Sequence, residues 1–134
     1  MARVEHINPD GLHRNPAFSQ VVAIDPGCRT VYVGGQNAVS AEGEIVGPKD
    51  LGAQSEQVAR NVLVALAAAG AGPEHVVNWT IYVLEGQALP VAFERFAKVW
   101  GSTPQAPTVS VVQVAALAHP QFLIEVTAVA AVPV

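Results

Sequence analysis

A strongly apolar segment between two helical segments constrains the fold of this chain more than any other feature. Residues 75–84 are dense in valine, isoleucine, tyrosine and tryptophan, which is typical of a strand buried on both faces or nearly so. Residues 50–70 have apolar side chains at intervals of three and four positions, with Asp50 and Gly70 suited to cap a helix. Residues 90–100 begin with a proline and place their aromatic side chains on one face. The pattern predicts a helix, a strand and a second helix in succession.

Further strands are predicted on either side of this unit. They span residues 3–7, 18–24, 29–34, 108–115 and about 122–132. The second and third strands are separated by Asp25-Pro26-Gly27-Cys28, which predicts that they pair as an antiparallel hairpin. The order of three strands, helix, strand, helix and two strands predicts an α+β fold, in which both helices pack on one face of a mixed sheet. We expect a single domain over residues 1–134.

The hydrophobic content of the chain exceeds what its own interior requires. Of the 134 residues, 51% are hydrophobic and only 13% are charged, whereas about 25% of residues are charged in an average soluble domain. One face of the predicted sheet has no helix to cover it, so its apolar side chains need another partner. We therefore expect a second subunit of the same chain against this face.

The charge and the cysteine content exclude several classes of function. A net charge of −4 without any run of lysine or arginine argues against a nucleic-acid partner, because phosphate binding needs clustered cations. Cys28 is the only cysteine, so neither an internal disulfide nor a cysteine-based zinc site is expected. The apolar stretch at residues 62–72 is too short to span a membrane, and the N-terminus lacks the pattern of a secretory signal. We expect a cytoplasmic protein without a membrane partner.

The sequence carries no motif for a metal or a cofactor. The four histidines do not have the spacing of metal ligands and are expected to be solvated: His6, His13, His75 and His119. Neither a glycine-rich nucleotide loop nor the serine elbow of hydrolases occurs in the chain. We therefore expect no metal ion and no cofactor.

Several segments resemble, in order and spacing, those of the RidA (YjgF-type) imine deaminases. Val33-Gly34-Gly35-Gln36 resembles the Ser-Gly-Gln strand end of that family, and residues 75–83 resemble its Asp-Val-Val-Lys-x-x-Val-Phe-Val strand. Residues 107–117 are similar to the family's active-site strand, whose pattern is Pro-Ala-Arg-Ser/Thr. The first helix and the closing strand match through Gln54, Gln57, Asn61, Ala68-Ala69-Gly70 and residues 123–130. The resemblance covers roughly residues 16–131.

The resemblance implies a chorismate-mutase-like α+β subunit that assembles into a homotrimer with clefts between neighbouring subunits. Family members hydrolyse reactive enamines and imines, such as 2-aminoacrylate, to 2-keto acids and ammonia without a cofactor or metal. In that chemistry an arginine holds the substrate carboxylate, and a carboxylate and a backbone group position the attacking water. By resemblance, the catalytic residues are Glu125 and Gly35, and the residues that bind the small-molecule ligand are Phe18, Val109, Ser110 and Val111.

Val109 stands where the resemblance places the arginine, so this chain lacks the carboxylate-binding residue of that family. A charged, bidentate contact contributes about 1.5–3 kcal/mol, so its loss weakens carboxylate binding by roughly 10- to 150-fold. Arg14 and Arg29 lie near the strands that frame the predicted cleft and are candidates to replace it, from the same or the adjacent subunit. Without a replacement, we expect a ligand that is neutral, cationic, or smaller than an amino-acid-derived imine.

Two functions remain open from the sequence. The first is a diverged hydrolase for an imine, an enamine or a related metabolite, in which Glu125 and the region of Gly35 handle water. The second is a non-catalytic trimer that binds or responds to a small molecule. Structural roles also remain open for single residues: Glu125 can face solvent or pair within the trimer, Gly35 can simply end a strand, and Phe18 can belong to the core.

Overall fold

The computed structural model describes residues 3–134, which form a four-stranded sheet, a separate pair of short strands and two α-helices. In chain order the elements are β1 (Val4–Ile7), β2 (Val21–Ile24), β3 (Cys28–Gln36), α1 (Leu51–Ala68), β4 (Val76–Leu84), α2 (Leu89–Trp100), β5 (Thr108–Val114) and β6 (Ile124–Pro133). A short 3-10 turn, Pro73–His75, leads into β4. The predicted order of strands and helices is confirmed.

The four-stranded sheet has the strand order β3-β6-β4-β5. β6 runs antiparallel to both β3 and β4, whereas β4 and β5 are parallel. Parallel neighbours need a long crossover connection, and α2 provides it between β4 and β5. α1 packs against β3 and β6, α2 packs against α1, and both helices lie on the same face of the sheet. The predicted α+β fold, with two helices on one face of a mixed sheet, is therefore confirmed.

The helix α1 supplies much of the core. Val58, Val62 and Leu66 recur at helical spacing, are fully buried, and belong to the same cluster as buried side chains of β3, β4 and β6. The helix begins at its predicted cap, because the Asp50 carboxylate accepts a hydrogen bond of 3.0 Å from the Ala53 N–H. No helix within residues 3–134 is both long enough and apolar enough to cross a membrane.

The predicted hairpin between the second and third strands is wrong. β2 pairs with β1 in a separate sheet, and β3 pairs with β6 at the edge of the four-stranded sheet. The connecting turn has Pro26 followed by Gly27 at a φ of 96°, which is the arrangement of a type II turn. Hairpins favour the mirror-image turn types, because the unprimed types splay the two strands apart. The turn therefore directs β3 away from β2 and into the larger sheet.

The face of the sheet opposite the helices, which we call the open face, carries side chains that are exposed or half-exposed. Along β6, buried side chains alternate with Glu125 and Thr127, which point to the open face. On this face Tyr32 of β3 is 80% exposed and Val112 of β5 is 41% exposed. Exposed apolar side chains gathered on one face are typical of a subunit interface.

Candidate functional site

A hollow of about 620 Å³ lies between α2 and the sheet. Small-molecule sites commonly have volumes of about 300–1,000 Å³, so this hollow can hold a metabolite. Two loops contribute to its lining, residues 16–18 and residues 101–107. Aromatic rings dominate its walls, and we call it the aromatic pocket; the rings belong to Phe18, Trp79, Phe93, Phe96 and Trp100.

Three of these rings pack against one another and form a continuous wall. The ring centroids of Trp79 and Trp100 are 4.6 Å apart, those of Trp79 and Phe96 are 5.3 Å apart, and those of Phe96 and Trp100 are 5.6 Å apart. Offset and edge-to-face pairs at these distances are stabilising. The aromatic face of α2 predicted from the sequence is thus present, and it lies toward Trp79 of the sheet.

No charged side chain lines the aromatic pocket within residues 3–134. Its polar side chains are the hydroxyls of Ser102 and Thr103, and the other lining side chains are hydrocarbons or aromatic rings. A carboxylate that entered this pocket would lose hydration without gaining a cation in return. The electrostatics of the pocket therefore favour an uncharged ligand.

Three of the four residues that the resemblance assigned to ligand binding meet in the aromatic pocket. Phe18 lies at its edge, and Val109 and Val111 of β5 form part of its floor. Val109 is the strand partner of Trp79, so it lies directly beside the aromatic wall. Ser110 points to the open face instead, because side chains alternate along a strand.

Glu125 and Gly35, the two residues assigned to catalysis, lie together on the other side of the sheet. The Glu125 carboxylate covers Gly35 so closely that a Cβ added to Gly35 would be 2.6 Å from Oε2. Gly35 sits in an irregularity of β3 between Val33 and Gln36. Any other residue at this position would displace the carboxylate, so glycine at position 35 leaves room for the Glu125 side chain.

One protomer does not bring the Glu125 carboxylate into the aromatic pocket. Glu125 pairs with Tyr82 of β4, and Val109 pairs with Trp79 of the same strand. Three residues of a strand span about 10 Å, and Tyr82 and Trp79 point to opposite faces of the sheet. The predicted residues therefore form two groups, one on each face of the sheet.

Neither candidate arginine supplies a cation to the aromatic pocket within the protomer. The Arg29 guanidinium donates a hydrogen bond to the Ala69 carbonyl, at the C-terminal end of α1. Arg14 forms an exposed ion pair with Asp10, with 3.7 Å between the nitrogen and the oxygen. Neither side chain lines the aromatic pocket.

An ion pair links the two helices that frame the site. Glu56 of α1 accepts a hydrogen bond from Arg95 of α2, and Lys98 lies 3.9 Å from the same carboxylate. The hydrogen bond from Arg95, assisted by the charges of Arg95, Lys98 and Arg60, lowers the pKa of Glu56 below its usual value. The pair orients α2 on α1, and α2 carries one wall of the pocket.

Gln54 of α1 holds the loop that leads into β6. Its side chain is fully buried, and its Nε2 donates to the carbonyls of Gly47 at 2.9 Å and Gln121 at 2.8 Å. Its Oε1 accepts a hydrogen bond of 2.9 Å from the Leu123 N–H. A buried amide with all of these bonds fixes the start of β6, and therefore the position of Glu125.

A second, polar hollow of about 220 Å³ adjoins the aromatic pocket across Phe18, and sequence reasoning missed it. Its polar lining side chains are those of His6, Asn8, Asn15, Ser19 and Gln105. His6 departs from the expectation of a solvated histidine, because its Nδ1 lies 2.9 Å from the Ala106 carbonyl oxygen. His6 is placed here by contacts with Ser19 and Ala106, which are 13 and 100 positions away, so no local sequence pattern indicates it.

The described residues contain no group of three or more His, Cys, Asp or Glu side chains placed to hold a metal ion.

Comparison with known proteins gives consistent matches over almost the whole chain. The family model described as Endoribonuclease L-PSP matches residues 12–132. YyfB of Yersinia pestis, a protein of unknown function of the conserved Rid protein family, is 36% identical, with 95% of this chain and 97% of that chain covered and a TM-score of 0.76. A YjgF/YER057c/UK114 family member from Mycobacterium tuberculosis is 29% identical, with 97% of this chain and 100% of that chain covered and a TM-score of 0.64.

RidA from an Antarctic Psychrobacter is 26% identical, with 87% of this chain and 95% of that chain covered and a TM-score of 0.67. No curated protein matches the chain significantly. The family match covers far more than half of the chain, and it agrees with the fold and with the order of the sequence motifs. The chain belongs to the Rid (YjgF) family.

Proposed function

We propose that this Rid-family protein binds a small, uncharged, ring-containing metabolite in the aromatic pocket. The observation that carries the proposal is the composition of the pocket wall, which within residues 3–134 has five aromatic side chains and no charged side chain. Rings in a ligand gain offset or edge-to-face contacts with such a wall. A volume of about 620 Å³ is ample for a ligand of one or two rings.

The same wall argues against the amino-acid-derived imines that the family resemblance suggests as substrates. Those imines carry a carboxylate, which needs a cation to offset the loss of its hydration. By the resemblance, Val109 stands in the position of the arginine, and within the protomer neither Arg14 nor Arg29 lines the pocket. We therefore expect carboxylate ligands to bind at least about tenfold more weakly than uncharged ligands of the same size.

The homotrimer is part of this proposal, and the open face supports it. Tyr32 and Val112 leave large apolar surfaces exposed there, and such surfaces favour association. A neighbouring subunit on the open face would also cover Glu125. The acidic chain has no cluster of cations along either hollow, so we propose no nucleic-acid partner, although the family model is described as an endoribonuclease.

Hydrolysis of an uncharged imine or enamine is the second candidate function, and the closeness of Glu125 to Gly35 favours it. A carboxylate held over a glycine backbone can accept a proton from a water molecule while the backbone orients it. This carboxylate lies on the open face, so the reaction would take place where two subunits of the trimer meet.

Two measurements on the same protein distinguish these functions. The first follows ketone formation from freshly generated imines and enamines, both carboxylate-bearing and uncharged. The second records thermal shifts with uncharged aromatic compounds. Turnover that is lost in Glu125→Ala supports the hydrolase, whereas stabilisation without turnover supports the binding protein. Rapid turnover of 2-aminoacrylate would overturn the proposal that carboxylate substrates are excluded.

A further inference from the structure

The polar hollow and the aromatic pocket share one wall, which is made by Pro16, Phe18, Pro104 and Ala106. A ligand that reached both hollows would have its apolar part among the rings and its polar end in the polar hollow. We propose that the polar hollow recognises a carboxamide group, and that the ligand is an aromatic carboxamide. This inference rests on the proposed function, because it assumes that the aromatic pocket holds the ring.

Two asparagines supply hydrogen-bond donors to the polar hollow. The Asn8 side-chain oxygen accepts a hydrogen bond of 2.9 Å from the Gln20 N–H. The Asn15 side-chain oxygen accepts one of 2.8 Å from the Ala17 N–H. These bonds fix which end of each amide is an acceptor. The two NH₂ groups have no partner within residues 3–134, so they can donate to the carbonyl oxygen of a ligand.

His6 supplies an acceptor to the same hollow. Its Nδ1 lies 2.9 Å from the Ala106 carbonyl oxygen and 3.1 Å from the Ser19 hydroxyl oxygen. A carbonyl oxygen only accepts hydrogen bonds, so the proton of the neutral imidazole must be on Nδ1. The Nε2 atom then has a free lone pair and can accept a hydrogen bond from an N–H group.

A carboxamide matches this combination of donors and acceptor. Its carbonyl oxygen accepts from the asparagine NH₂ groups, and its N–H donates to His6 Nε2. A carboxylate has no proton to donate and would face the His6 lone pair, and no lysine or arginine lines the hollow to offset its charge. A hydrocarbon would leave all three polar groups without a ligand partner.

The test compares three probes of similar size: benzamide, benzoate and toluene. Their dissociation constants are measured by titration calorimetry with the wild-type protein. We expect benzamide to bind at least about tenfold more tightly than either of the others, because only benzamide bonds to both kinds of group. If benzamide and toluene bind equally, the inference is overturned and the proposed function stands. If no uncharged probe binds, both fail.

Asn8→Asp and Asn15→Asp test the donors without removing the bonds that hold the loops. Aspartate keeps the side-chain oxygen that accepts from the backbone, but it replaces the NH₂ donor with a second oxygen. We expect each variant to weaken benzamide binding by roughly 3- to 10-fold and to leave toluene binding unchanged.

Gln87→Glu is the matched control for the added charge, because Gln87 lies beyond the opposite end of α2 from the polar hollow. It should bind all three probes as the wild-type protein does. Equal loss of benzamide and toluene affinity in the asparagine variants would overturn the inference, since it would mean that the substitutions disturb the pocket itself. Unchanged benzamide affinity in both variants would overturn it as well.

Discussion

Replacing Val109 by arginine should convert the aromatic pocket into a site for carboxylates. Val109 is half-buried on the pocket floor beside Trp79, so a longer side chain at this position extends into the hollow. A guanidinium that contacts a carboxylate there gains about 1.5–3 kcal/mol, which corresponds to roughly 10- to 150-fold in affinity. Wild-type protein has no such contact.

The substitution should be tolerated, because the pocket has room and aromatic walls. A guanidinium that stacks on an aromatic face gains about 0.5–2 kcal/mol, which offsets part of the cost of placing a charge in apolar surroundings. We expect the free energy of unfolding to fall by about 1–3 kcal/mol. Urea denaturation of the unliganded variant measures this change.

The assay is calorimetric titration of Val109→Arg with benzoate and with toluene. Benzoate should gain affinity by roughly 10- to 150-fold over wild type, whereas toluene should not gain. Val109→Gln is the matched control, because glutamine is also long and polar but carries no charge. If Val109→Arg is folded and binds benzoate no better than Val109→Gln, the assignment of this pocket as the ligand site is refuted.

Three further predictions concern stability and assembly. The hydrogen bond from Arg95 lowers the pKa of Glu56 in the folded state below the usual 4.5. Ionised Glu56 therefore stabilises the fold above pH 4.5, and this contribution is lost as the pH falls through the folded-state pKa. The melting temperature of Glu56→Gln should therefore fall less steeply than that of wild type between about pH 5 and pH 3, and an identical slope contradicts this. Gln54→Leu should lose about 3–5 kcal/mol in urea denaturation, because it leaves the buried Leu123 N–H and two part-buried carbonyls without hydrogen bonds; a loss below about 1 kcal/mol refutes the anchoring role. If the proposed trimer forms through the open face, Tyr32→Asp should dissociate it in sedimentation, whereas Val64→Asp on the exposed side of α1 should not; an intact Tyr32→Asp trimer argues against that interface.

The helices and the class of fold could be predicted because their signals are local. Asp50 and Pro90 stand at the helix starts that their chemistry favours, and apolar spacing determines which faces are buried. The pairing of β3 could not be predicted, because it depends on β6, about 100 residues further along the chain. From the sequence, Pro26-Gly27 indicated only that the chain turns. The structure shows the turn type, which does not favour pairing of β2 with β3.

The candidate site was predictable only in part. Phe18, Val109 and Val111 came from the family resemblance, and they do meet in one pocket. Helical periodicity grouped the aromatic side chains of α2, but periodicity cannot distinguish side chains that fill the core from side chains that line a pocket. The polar hollow was missed because His6 enters it through a contact with Ala106, which no local sequence pattern records.

Tryptophan fluorescence tests the central claim most directly, because both tryptophans of the chain, Trp79 and Trp100, line the aromatic pocket. The wild-type protein is titrated with toluene and, separately, with benzoate at neutral pH. If the site takes uncharged ligands, the tryptophan fluorescence should change saturably with toluene, and benzoate should bind at least about tenfold more weakly than toluene. Benzoate binding as tightly as toluene, or more tightly, would contradict the claim.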